Sequence, residues 1–599
     1  MGRGAQVTQG RTGWVRVPVG DGASRWATRG KCLRVLVVVH NVTSATRLLD
    51  VLPLFDGDLR IQLLATCPES SAFAAGTAEL LARTGVPVLP WEQAVETPVD
   101  LVVSASFGGQ LELLQGTLAI LSHGVGYTKR LAPPDPGAGA GSGSAPEVAP
   151  VFGQAPEWVL SKGVPIADAL VLSHPEQCDR LRAACPEAAP TAVLAGDPCF
   201  DRVLAARPYR ERFRRALGVR AGQRLIVLTS TWNPESFFGD GGAGGDDLLP
   251  ALLPRLAREF PVDEYRFAAV LHPNIWHGHG PGQVRAWLDR ARRCGLALID
   301  PLEGWRQALV AADAVVGDHG SVTFYAAALG TPVLLAAAPL RELDPDAPIS
   351  DFMRAAPRLD PRAPLREQID RLIDRHRPLP GPAEYTTSVP GEAAVRLRTL
   401  FYSMMGAAEP EWAASLEPLP LPRHEPVSVT VPLRVLTRVR GPGEVSVTRW
   451  AGSPPAAECV GGDVHIAVHE DTRDVDQLDL ADVIFRDGLP DDPRFGSPSV
   501  WTAEVLQRRP GCALAAFAVG PAECVVRLRG HGLLRLESAS EAAVDPAAGV
   551  SALHALLGAG DAGGDAVAKR LANLVDDGGF AVRVGALSVR VRVVALPAG

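Results

Sequence analysis

The stretch Val315-Val-Gly-Asp-His-Gly-Ser-Val-Thr-Phe-Tyr-Ala-Ala-Ala-Leu-Gly-Thr-Pro-Val-Leu-Leu335 decides the fold. An apolar strand (Ala314, Val315, Val316) runs into a glycine-rich turn. A small-residue helix follows from about Val322 to Leu329, capped by Gly330, and Pro332 leads into a second buried strand. This is a strand–turn–helix–strand unit of a parallel α/β sheet. Gly320 and Ser321 stand at the helix N-terminus, where free backbone N–H groups and the positive end of the helix dipole suit a phosphate. A plain βα unit of any doubly wound fold has the same pattern, so the site must be argued from its companions.

The pattern repeats outward from this stretch. On the N-terminal side, short continuous apolar runs at Leu33–Val39, Ile61–Ala65, Val86–Leu89, Leu101–Ser104, Leu118–Leu121, Ala169–Leu172 and Thr191–Leu194 alternate with helical segments. They predict a first Rossmann-type unit over residues 31–205, with its sheet covered on both faces. A low-complexity segment, Pro133 to Pro150, forms a flexible loop inside it. A second unit over 206–410 takes strands at Leu225–Leu228, Phe267–Leu271, Leu296–Ile299, Ala314–Val316 and Val333–Leu335. A helix around Glu392 to Met405 ends it. From Pro426 the period becomes two, which predicts a β-rich accessory domain over 426–599. Within it the acidic run from Asp474 to Pro493 reads as a solvated face and loop. Residues 1–30, Arg- and Gly-rich without an apolar signal core, read as a disordered leader.

Composition excludes several classes. The 599 residues carry a net charge of −8, so no basic nucleic-acid footprint exists at whole-chain level. Nine cysteines lie scattered without a CxxC pair, which fits reduced thiols and a cytoplasmic protein. No run reaches the roughly 18 apolar residues of a membrane span. His272, His277, His279 and His319 are too irregularly spaced to predict a metal site, and no cofactor is expected.

In open α/β sheets ligands bind beyond the carboxyl ends of the strands. Clusters of polar residues follow several of them: Ser122-His123-Gly124-Val-Gly-Tyr-Thr-Lys129, Gly196-Asp-Pro198 with Asp201, Thr231-Trp232-Asn233, His272-Pro273, and Asp318-His319-Gly320-Ser321. In this order and spacing, from about Leu33 to Leu400, they resemble the CDP-glycerol:poly(glycerophosphate) glycerophosphotransferase family of teichoic-acid enzymes, which has the GT-B fold. Three departures stand out. The His-Gly to lysine spacing is one residue longer than the family's, Asn233 and Pro234 stand where arginine and aspartate are usual, and Cys199 replaces an arginine.

The resemblance implies transfer of a phospho-polyol from a CDP-activated donor to an acceptor hydroxyl, with CMP leaving. It implies His123 as general base and His272 as donor to the phosphates or leaving group. Gly124, Lys129, Gly196, Pro198, Asp201, Thr231, Pro273, His319, Gly320 and Ser321 would line the donor site. Asp318 would orient His319 or a hydroxyl, and Trp232 would pack at the domain seam. A lipid-linked acceptor and a peripheral membrane contact would follow from teichoic-type chemistry. Two other readings stand beside this one: a GT-B enzyme using a UDP-sugar, or a noncatalytic GT-B-like binding protein.

Overall fold

Two parallel sheets and a closed barrel follow one another along the chain. The computed structural model describes residues 13–20, 22–68, 76–122, 124–131, 149–242, 245–423, 429–538, 544–558 and 564–597. The first sheet contains β1 (Leu33–Val38), β2 (Ile61–Thr66), β3 (Val88–Leu89), β4 (Leu101–Ser104), β5 (Thr117–Leu121), β6 (Ala169–Leu172) and β7 (Ala192–Leu194). Its order is β3-β2-β1-β4-β5-β6-β7 and every pair is parallel. The second contains β8 (Arg224–Ser230), β9 (Tyr265–Leu271), β10 (Ala297–Leu298), β11 (Ala314–Gly317) and β12 (Val333–Leu335), ordered β10-β9-β8-β11-β12 and also parallel. Residues such as Val35, Leu36, Leu101, Val102, Ile226 and Val227 are fully buried, as strands covered on both faces must be.

The chain is thus a pair of Rossmann-type doubly wound sheets with a β-rich domain after them. Strand order reverses between β1 and β4 in one sheet, and between β8 and β11 in the other. Those two reversals open the crevices at which such sheets bind ligands.

Seven helices matter for the site and its support. They are α1 (Val42–Val51), α2 (Pro198–Ala206), α3 (Pro273–His279), α4 (Trp305–Ala311), α5 (Ser321–Ala328), α6 (Ala393–Met404) and α7 (Pro546–Leu557). Asn41 caps α1 through Ser44 N–H, and Ser44 returns the bond in a capping box. Asp197 caps α2 through Phe200 N–H. In α5, Ala326, Ala327 and Ala328 are buried, which lets the helix lie close on its sheet.

Several expectations need correction. The helix expected to finish the second unit, α6, packs instead on the first: Leu397, Phe401 and Tyr402 enter the core of Val35, Leu48 and Phe55. Phe401 stacks on Phe55 with centroids 5.7 Å apart, and Tyr402 donates to Asp58 at 2.8 Å. The supposed leader is docked over part of its length, because Val15 exchanges two backbone hydrogen bonds with the Gln93 side chain, each 2.8 Å. Residues 1–12 and most of the 133–150 loop lie outside the described residues.

The C-terminal strands form a closed nine-stranded barrel rather than simple antiparallel hairpins. In chain order they are β13 (Leu433–Gly441), β14 (Glu444–Trp450), β15 (Asp463–His469), β16 (Val483–Asp487), β17 (Leu514–Gly520), β18 (Glu523–Leu528), β19 (Gly532–Ser538), β20 (Phe580–Val584) and β21 (Leu587–Leu596). The pairs β14–β20, β15–β16 and β16–β17 are parallel. Strand β16 rises from the middle of the acidic run expected to be loop, because Val483 and Ile484 bury on opposite faces. Helix α7 is buried against the barrel interior through Ala548, Val550, Leu553 and Leu557.

One buried ion cluster fastens barrel to second sheet. Arg449 of β14, 1% exposed, grips both oxygens of Asp263 at 2.6 and 2.8 Å and one of Asp545, at the N-cap of α7, at 2.8 Å. Burial alone would raise the Asp545 carboxyl, but Arg449 and Arg220 outweigh it and hold it well below the usual range. Arg449→Met, which strands two carboxylates, is expected to lower barrel stability by about 3–5 kcal/mol in urea unfolding at neutral pH. A group depressed on folding stabilises above its unfolded pKa of about 3.9 and loses that contribution as pH falls below it. The wild-type barrel should therefore weaken below about pH 4, and the variant should lose most of that acid sensitivity.

Candidate functional site

The carboxyl ends of both sheets face each other across a seam. From the first unit come His40, Asn41 and Thr43 after β1, Ser122 and residues 124–130 after β5, and Gly196–Asp197 after β7. From the second come Thr231 after β8, His272 after β9 and Asp318–Ser321 after β11. Each sits where a strand gives way to a helix or turn, so backbone geometry aims it at the seam.

His272 is the N-cap of α3. Its Nδ1 accepts from Asn274 N–H at 3.1 Å, which assigns the neutral-ring proton to Nε2. Nε2 faces Thr43 Oγ1 across the seam at 3.5 Å. The ring is therefore set up to donate a hydrogen bond, and Pro273, the first residue of α3, holds the turn that aims it.

Lys129 reaches from the first unit to the second and donates to Thr231 Oγ1 at 3.0 Å. Burial lowers its ammonium pKa, an effect partly offset by the Asp318 and Glu342 carboxylates. A short cross-unit ladder places it: Arg130 N–H donates to Glu342 O at 3.0 Å and Asp344 N–H to Thr128 O at 2.8 Å. Arg180 binds Tyr127 O and the Asp344 carboxylate, tying the same two segments.

At the α5 turn, Ser321 Oγ accepts from Val125 N–H at 3.3 Å. A Cβ on Gly124 would stand 2.6 Å from that oxygen, so only glycine permits the approach. Gly320 is the extended N-cap of α5. His319 is 1% exposed and its Nδ1 has no partner among the described residues. Burial, with the Lys129 charge second, keeps its ring neutral.

Asp318 departs from its expected role. Its carboxylate is wholly buried and accepts from Gly320 N–H (3.0 Å), Thr231 N–H (2.9 Å), Phe237 N–H (3.0 Å) and Ser230 Oγ (3.2 Å). Burial nevertheless raises its pKa. It braces the β8 turn against the β11 turn rather than orienting His319 or a substrate hydroxyl. Asp201 is likewise structural: its oxygens take Gly391 N–H at 2.7 Å and Ala393 N–H at 3.0 Å, holding the start of α6. Gly196 turns with φ +86° and Pro198 opens α2, so this motif shapes a helix start. Trp232 is 39% exposed, more open than packing at the seam predicts. His123, the expected base, lies outside the described residues. Among the described residues no three His, Cys, Asp or Glu side chains assemble as a metal site.

Sequence reasoning missed a row on α1. Thr43, Arg47 and Asp50 share one face at helical spacing and meet the second unit. Arg47 donates to the Tyr325 hydroxyl of α5 at 3.2 Å, and Asp50 receives Arg306 of α4 at 2.6 Å. Arg202 of α2 binds the other Asp50 oxygen. The Tyr325 hydroxyl donates to Asp197, and Arg306 Nε contacts Cys199 Sγ at 3.1 Å. The signal was present as Asn41-Val-Thr-Ser44 directly after β1, a cap box starting the helix earlier than its apolar period alone suggests.

No family model matches the chain, and no curated protein matches it. Among solved structures it is similar to a variant of the wall teichoic acid polymerase TagF, at 14% identity and a TM-score of 0.41, covering 62% of this chain and 89% of that one. It is also similar to the UDP-GlcNAc 2-epimerase of Methanocaldococcus jannaschii in complex with UDP-GlcNAc and UDP, at 11% identity and a TM-score of 0.38, covering 61% and 100%. The corresponding epimerase of Neisseria meningitidis gives 12% and 0.36, covering 62% and 99%.

The contact of Gly124 with Ser321 makes a direct prediction. Gly124→Ala displaces the Ser321 hydroxyl from Val125 N–H and is expected to lower stability by about 1 kcal/mol. Ser321→Ala removes the obstructing atom, so the double variant should be no less stable than Gly124→Ala alone. A thermal-unfolding double-mutant cycle reads the coupling, and strict additivity would contradict it.

Proposed function

We propose that the chain is a transferase of the CDP-glycerol glycerophosphotransferase type, which takes a nucleotide-activated phospho-polyol in the seam between its two Rossmann-type units and passes it to an acceptor hydroxyl. The observation that carries this reading is the His272 ring, fixed with its Nε2 proton toward the opposite unit and one residue past the end of β9. A neutral donor there suits a phosphoryl oxygen or the departing nucleoside monophosphate. Around it the Gly320–Ser321 turn offers the N-terminus of α5, and Lys129 offers a cation that bridges both units.

In the in-line displacement the acceptor oxygen forms its bond to the donor's β-phosphorus as the bond from that phosphorus to the oxygen bridging it to CMP breaks. The acceptor proton passes to a base of the first unit, the part assigned to His123. CMP leaves with the negative charge, which His272 and Lys129 offset. Asp318 acts indirectly, holding Thr231 and Gly320 at fixed separation. A low-dielectric seam strengthens each of these interactions and keeps water from taking the acceptor's place.

Thermal-shift titration with CDP-glycerol, CMP, UDP and UDP-N-acetylglucosamine tests the reading, with His272→Ala in parallel. A ligand that binds only the folded state raises the midpoint by mass action. Cytidine nucleotides are expected to stabilise the wild type, with the shift at least halved in the variant. Uridine-only stabilisation would move the chain to the UDP-sugar enzymes. No response to any of the four would favour a binding protein without this chemistry.

A further inference from the structure

Away from the seam, a cleft opens where the second unit meets the barrel. Its walls come from the helices Leu249–Glu259 and Asp289–Arg293, from the start of β9 and from the end of β14. Leu253, Leu256, Phe260, Phe267, Leu296 and Ala451 make them apolar. Thr430 N–H donates to Arg293 O at 3.0 Å and Val262 N–H to Arg449 O at 2.9 Å, which ties the barrel to the second unit at these walls. The cleft encloses about 40 Å³, more than the roughly 10–15 Å³ that one water needs. It admits the end of a small organic molecule, not a whole nucleotide.

Arg266, the second residue of β9, is the one charged residue among the described residues that line this cleft. Among the described residues its guanidinium has no hydrogen-bond acceptor and no ion-pair partner, and its Nε is shut off from water. The charge that acts on it is another cation, Arg220, itself bound to Asp545 at 3.1 Å. Burial first and that repulsion second push its pKa down to about 10, so it stays charged at neutral pH. Snorkelling accounts for a buried aliphatic stem with its head in water, but not for a buried Nε–H without an acceptor. A charged donor left in that state is costly, and an arriving anion removes the cost.

We infer that this cleft is a binding site for a small organic acid with an apolar body, its carboxylate meeting Arg266 and its chain lying on the leucine and phenylalanine wall. The site is separate from the seam. It lies at the amino end of the second sheet, whereas His272 stands beyond the carboxyl end of the same strand, β9. Its ligand needs one charge and little other polarity: a guanidinium fork matches one carboxylate, and apolar walls do not repay the desolvation of a polyanion. A ligand seated there touches both the second unit and the barrel, so its binding stabilises the folded chain by mass action.

Calorimetric titration of the full chain with octanoate tests this, alongside octanol, which keeps only the chain, and acetate, which keeps only the charge. Octanoate is expected to bind at least about tenfold more tightly than either. Arg266→Met keeps an apolar stem and removes the charge. No carboxylate is stranded by it, so its thermal midpoint should equal or exceed that of the wild type, while its affinity for octanoate falls to that for octanol. Ala257→Phe fills the cleft from the helix side and should abolish binding of octanoate and octanol together. Should Ala257→Phe fail to fold, Arg266→Met carries the test alone. Wild-type octanoate affinity in Arg266→Met would overturn the inference, as would octanoate binding that survives Ala257→Phe. A lowered midpoint in Arg266→Met would overturn it too, since the guanidinium would then already have a partner. A wild-type chain that does not bind octanoate would leave the cleft without this role.

Discussion

One carboxylate, Asp50, holds the two Rossmann-type units in register. Its oxygens accept from Arg202 of the first unit and Arg306 of the second, in a place from which water is excluded. A buried ion pair adds little net stability over a well-packed apolar contact, but breaking one strands a charge at a cost of about 3–5 kcal/mol. Sliding α1 against α4 by a single turn would do that. The relation of the halves is therefore sharply specified. With α1 fixed by Asp50, Thr43 and Arg47 on the same face fall opposite His272 and Tyr325.

Several side chains that look like ligand groups in the sequence turn out to hold this arrangement. Asp318 gathers four donors from two turns, and Asp201 gathers two from the start of α6. Both carboxylates are thereby engaged in holding backbone turns. Among the described residues at the strand ends, His272, His319, Lys129 and the N–H groups of the α5 turn lie beside these braced turns. Such groups are what a phosphate-bearing substrate needs.

The barrel follows similar logic at a greater distance. Arg449 joins it to the second unit through Asp263, and to α7 through Asp545, so the plug helix and the domain seam share one cation. The pairing of β14 with β20, and of β15 and β16 with their neighbours, closes the sheet and leaves no free edge.

The sequence by itself determined the local units. Apolar runs of three to seven residues, alternating with helical segments, read as parallel strands covered on both faces, and all five strands of the second sheet and most of the first lay where their hydrophobic runs put them. The turns after β8, β9 and β11 were legible for the same reason, since each places its polar residues immediately after a buried run. Only tertiary structure decided partnership. The apolar face of α6 reads the same whichever core it joins, and Leu397 and Phe401 show that it joins the first. The acidic letters of 474–493 hide β16, because a five-residue strand is fixed by its neighbours in a barrel rather than by its own period. Asp50, Arg47 and Arg306 are ordinary helix residues in one dimension. They become the seam because Coulomb attraction between buried groups depends on distance in space, which spacing along the chain does not encode.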